Sequence, residues 1–162
     1  MVKPHALLVV LALACAAASA AQDMVLGRMV AARADAPSRG TTTHVRAHYV
    51  LHCAGCHGVD GAGSKAGYVP DLRRLGDFLR VPGGRDFVIK VPGVMGSGLD
   101  DAQVAEVTNW VLSTIAAGSV PPQHQPYAAA EVTRARAEPL VDVLAERRRL
   151  LEQARQQGLV IY

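Results

Sequence analysis

Aromatic side chains are scarce in this chain, which has four Tyr, two Phe and one Trp among 162 residues. That scarcity excludes a surface that reads nucleic acid by base stacking, and a formal net charge of +3 supplies no basic stripe for phosphates. No nucleic acid is expected as a partner. The chain also lacks an apolar run near the roughly 20 residues that cross a bilayer, so no transmembrane span is expected. Cysteine occurs only at positions 15, 53 and 56, too few for the disulfide framework of a small secreted domain.

What is present begins with a leader. Lys3 precedes an apolar run from Ala6 to Ala18, and Ala18-Ser19-Ala20 offers small residues where a signal peptidase cuts. Residues 1–20 are therefore read as a signal peptide, which makes the mature protein exported and periplasmic. Its loss removes Lys3 and lowers the formal charge to +2. Cys15 follows Ala12-Leu13-Ala14, a weak likeness to a lipid-attachment site. Residues 21–42 show little periodicity and read as a linker or flexible arm.

Cys53-Ala54-Gly55-Cys56-His57 is the most specific pattern in the chain. Two thiols one turn apart can each form a thioether with a haem vinyl group, and the imidazole that follows can ligate the iron from beneath the ring. A zinc site would need four ligands, and a thioredoxin-like pair would sit in a strand-rich βαβ unit that the surrounding sequence does not suggest. A structural disulfide is the plain alternative. One covalently attached haem c is the cofactor expected, and its porphyrin would supply the apolar surface that the missing aromatics do not.

Around this motif the periodicity is helical. Val45, Tyr49 and His52 share one face of a segment that runs into the cysteine pair. Gly58, Gly61, Gly63 and Gly67 punctuate a loop that ends in Val69-Pro70-Asp71-Leu72. Two short apolar stretches, around Phe78 and Phe87, suit short helices. Asp100 and Asp101 then open a longer helix in which Val104, Val107, Val111 and Ile115 recur at spacings of three and four, broadened by Trp110 and Leu112.

From about Thr43 to Gly118 these residues resemble a class I cytochrome c. The resemblance implies an all-α fold of helices around one haem, with residues 43–118 as the cytochrome domain. It also implies that the Pro70 carbonyl accepts the hydrogen bond from His57, and that Tyr49 and Trp110 meet where the first and last helices cross beside the haem. Met95, which lies between the haem motif and the last helix, suits the loop that delivers an axial sulfur in that family. Here Met95 is followed by Gly rather than the usual Pro. A flexible Met can also simply fill a gap, so a His ligand or an open sixth position stand as alternatives. His44, His48 and His52 read as one helix face, and His124 as part of a proline-rich extended segment.

Residues 119–162 exceed what such a domain needs. Pro121, Pro122 and Pro126 suggest a stiff connector, followed by a short helix over 128–137 and a second begun at Pro139. In the second, Leu140, Val143, Leu144, Leu150 and Leu151 form a broken apolar stripe, and its basic cluster is a solvated face or a docking patch. The function implied is a one-electron carrier, not an enzyme, between redox partner proteins such as a dehydrogenase, a bc1-type complex or an oxidase. A haem enzyme or sensor with an open iron site, and a fixed cytochrome subunit of a quinoprotein-type dehydrogenase, are the rival readings.

Overall fold

The computed structural model describes residues 42–161. The segments expected to be a signal peptide and an arm, with Cys15, lie outside the described residues, except that Thr42 already belongs to the first helix. Helix α1 (Thr42–His52) buries Val45 and Tyr49, one turn apart, and leads into a single-turn helix, α2 (Ala54–His57). His52 does not share that buried face. It stands at the exposed end of α1, where its Nδ1 lies 2.9 Å from the Ser97 carbonyl oxygen.

After the glycine loop come a 3₁₀ run (Leu72–Arg80), α3 (Gly84–Lys90), α4 (Pro92–Met95) and α5 (Asp101–Thr114). The 3₁₀ run comes so close to a later 3₁₀ turn (Ala117–Ser119) that a Cβ on Gly76 would sit 2.6 Å from the Val120 nitrogen. Ser119 completes that junction in the interior, accepting from the Gly76 N–H at 3.0 Å and donating to the Ala116 carbonyl at 2.8 Å.

Helix α5 starts where Asp100 fixes it. The Asp100 carboxylate accepts from the Gln103 N–H at 2.8 Å, and the Gln103 side chain accepts from the Asp100 N–H at 3.0 Å, so two amides without helical partners are satisfied reciprocally. Val104, Val107, Val111 and Leu112 are buried, as their spacing predicts, while Trp110 and Ile115 are half-buried. Helices α1 and α5 pack together, and the Tyr49 and Trp110 rings meet with centroids 5.2 Å apart at 42°. Among the described residues the elements are all helical, with a single isolated β-bridge between Ser64 and Val69. The all-α fold is thus the observed one.

The chain beyond Ser119 lies against this body. Tyr127 is buried, and Asn109 of α5 pairs with its backbone in both directions, at 2.7 Å and 2.9 Å. The Tyr127 hydroxyl donates to the Arg85 carbonyl at 2.8 Å, and the Arg85 guanidinium lies 4.0 Å from its ring centroid. The same guanidinium pairs with Glu131 and donates to the Gln125 carbonyl at 2.7 Å. That bond to Arg85 holds the Glu131 carboxyl below the usual carboxylate range. The proline-rich segment is therefore tied down on both sides.

Two helices close the chain, α6 (Ala129–Ala137) and α7 (Val143–Gln156). The second begins at Val143, past the start that Pro139 suggests. Asp142 sets it by accepting from the Ala145 N–H at 2.8 Å, a satisfied amide that proline, with no side-chain acceptor, cannot offer. Of the apolar stripe, Leu150 is buried and Leu140, Val143 and Leu151 pack against the core, but Leu144 points outward with 67% exposure. The basic cluster is largely engaged within its own helix and neighbours: Arg149 with Glu146, Arg155 with Glu152, and Arg147 over the Phe78 ring.

Candidate haem site

The cysteine motif is built as an extension of α1. The Cys53 N–H donates to the Tyr49 carbonyl at 2.9 Å, and the Cys56 and His57 N–H groups both turn back to the Cys53 carbonyl, at 3.2 Å and 3.0 Å. This winds both thiols and the imidazole onto adjacent turns. Cys53 and Cys56 are free thiols, the first half-buried and the second exposed, so the disulfide alternative is not the arrangement found. Burial pushes the Cys53 thiol up.

The His57 Nδ1 lies 3.0 Å from the Pro70 carbonyl oxygen. A carbonyl only accepts, so Nδ1 carries a hydrogen, and in the neutral imidazole Nε2 is then the nitrogen left for a metal. Two other contacts hold this arrangement. The Tyr49 hydroxyl donates to the Gly58 carbonyl at 2.6 Å, and the Gly63 N–H donates to the His57 carbonyl at 2.8 Å. Gly63 has φ +69°, and a Cβ there would come within 2.4 Å of the Val69 carbonyl oxygen and 2.5 Å of that of Pro70. A side chain at 63 would displace the very carbonyl that His57 uses. Gly63→Ala is expected to cost about 1–3 kcal/mol in thermal unfolding of the holoprotein, from the positive φ and the clash together.

Met95 ends α4, where its N–H donates to the Val91 carbonyl at 3.0 Å, and its side chain is half-buried. The turn after it is fixed by the Ser97 hydroxyl, which donates to the Val94 carbonyl at 2.9 Å, and by His52, which holds the Ser97 carbonyl from α1. Between Pro70 and Met95, Leu72, Leu75, Leu79, Val91 and Val94 pack on the core yet remain only partly buried. Of the other described histidines only His52 reaches this group, through Ser97; His44 meets His48 edge to face along α1, and His124 lies against Tyr127.

The donor set fits a haem. Two free thiols precede an imidazole whose Nδ1 faces a carbonyl, and partly buried aliphatic side chains leave apolar surface of the kind a flat apolar group covers. Residues 43–82 match the cytochrome c family profile. The chain is 29% identical over 147 residues to a cytochrome c-552 of Thermus thermophilus, covering 78% of this chain and 93% of that protein. A second cytochrome c-552 from Thermus thermophilus is 30% identical over 118 residues, covering 60% of this chain and 90% of that protein. The chain belongs to the class I c-type cytochromes. As a cytochrome c it holds haem c covalently and serves electron transfer.

The residues that hold the loops carry no motif of their own. Gly63 is one glycine among several in the sequence, and only the carbonyls of Val69 and Pro70 beside it single it out. His52 falls on the predicted buried face by spacing, although a polar residue at the end of a helix is a signal for capping or tethering.

Proposed function

We propose that this cytochrome is an exported, periplasmic, monohaem electron carrier. In this reading Cys53 and Cys56 would form the two thioethers, His57 and Met95 would ligate the iron, and Pro70 would orient His57. Tyr49 and Trp110 form the aromatic contact beside the cofactor. The haem, once bound, supplies a single electron exchanged at iron, and the chain's own work is to hold and shield it. Pro70 would keep His57 in one orientation, and the partly buried aliphatic side chains between Leu72 and Val94 would limit water, two means by which a protein tunes a haem potential. Partners of the expected kind are a dehydrogenase or bc1-type complex as donor and an oxidase as acceptor, met through a small, short-lived interface.

The observation that carries this reading is the His57 to Pro70 hydrogen bond, because it leaves Nε2 as the free donor directly after the two thiols. Intact-mass measurement of the protein recovered from the periplasm tests it. The expected mass is that of a chain cut after Ala20 plus one haem. A full-length chain, or one without a covalently added haem, would count against it.

A further inference from the structure

Arg136 of α6 reaches the segment around Met95 from outside the cytochrome body. Its Nη1 donates to the Leu99 carbonyl at 3.0 Å and to the Asp101 carboxylate at 2.7 Å, and its Nη2 donates to the Val94 carbonyl at 3.3 Å. One guanidinium therefore grips the residue just before Met95 and the residue that closes the turn after it. The ion pair is sheltered, with the Arg136 and Asp101 side chains only 21% and 31% exposed. The helix that presents it is anchored by buried Val132 and Ala135, and Thr133 adds a hydrogen bond to Asp101.

The span between these two grips needs such support. Gly96 and Gly98 flank Ser97, and Gly98 has φ +76°, so the backbone after Met95 has little stiffness of its own. From α1, His52 holds Ser97; from the C-terminal segment, Arg136 holds Val94 and Leu99. Lysine could pair with Asp101, but a single ammonium cannot reproduce the planar fork that reaches two carbonyls as well.

We propose that Arg136 is a positioning residue for the axial Met95, and that the C-terminal segment acts as a latch on the distal loop. This inference rests on the reading of Met95 as the sixth ligand. A latched loop yields its sulfur reluctantly to a competing ligand, and an unlatched one yields it readily.

Imidazole titration of the ferric holoprotein, followed by the sulfur-to-iron charge-transfer band, tests this in Arg136→Gln and Arg136→Lys. Loss of hydrogen bonds made by a charged group is expected to raise the apparent imidazole affinity about tenfold or more in both variants. Amide exchange at Met95 and Ser97 should quicken alongside. Arg136→Lys, which keeps an ion pair with Asp101, should unfold nearer the parent's temperature than Arg136→Gln while binding imidazole as readily as that variant does. Such a split separates positioning from plain stabilisation. If both variants match the parent in affinity and exchange, while Met95→Ala loses the band, the latch is wrong and the ligand assignment stands. If Met95→Ala retains the band, the ligand assignment falls and the latch falls with it.

Discussion

A chain with serine at both Cys53 and Cys56 carries no covalent haem: acidified organic solvent extracts all of its porphyrin, while the parent's haem stays with the protein after denaturation. The consequence extends past attachment. Only four aromatic side chains, Tyr49, Phe78, Phe87 and Tyr127, lie in the buried core of the described residues. Leu72, Leu75, Leu79, Val91 and Val94 pack on that core and are only partly buried by protein atoms. A haem held by the chain stabilises the folded state in proportion to how tightly it binds, and without the thioethers that contribution becomes dependent on haem concentration. The double variant should therefore lose helical circular dichroism on dilution, whereas the parent should not. Each single-serine variant should fall between them, with one thioether still in place. Haem that resists extraction from the double variant would contradict the attachment site.

Met95→Ala is the second large effect expected. A thioether ligand raises a haem potential, and its removal should lower the reduction potential by on the order of 0.1 V or more, a fraction of the roughly 0.8 V that axial ligands command. The vacated position should then accept carbon monoxide in the ferrous state, which the parent should resist. Voltammetry and a carbon monoxide difference spectrum measure the two consequences on one sample. They also separate the carrier from a haem enzyme or sensor, which would bind carbon monoxide before any mutation.

Much of this architecture is legible in the sequence because it rests on local rules. The valine spacing of α5 and the acidic pair at its start specify an amphipathic helix that opens at Asp100 and Asp101, and the structure has it from Asp101 to Thr114. The Tyr49 to Trp110 contact follows from family resemblance, and the two rings do meet. The features that escape depend on partners distant in sequence. Arg136 looks like one of many helical arginines until its contacts 35 or more residues away are seen. Arg85 likewise gains its meaning only from Tyr127 and Glu131, 42 and 46 residues on. Pro139 is a sound local signal for a helix start that loses to a better one, since the Asp142 carboxylate satisfies an amide outright.

The C-terminal segment illustrates the same limit. Its apolar stripe implies burial against something, and the structure shows that surface to be the body of the cytochrome itself. With Arg147 over Phe78 and Arg149 and Arg155 paired within α7, much of the basic cluster is already committed.

The most direct test of the central claim, a haem held between His57 and Met95, is the near-infrared absorption of the ferric protein beside that of Met95→Ala. The expected result is low-spin iron with a sulfur-to-iron charge-transfer band in the parent and no such band in the variant. A band unchanged by the substitution, or a parent that is high-spin and lacks the band, would contradict it.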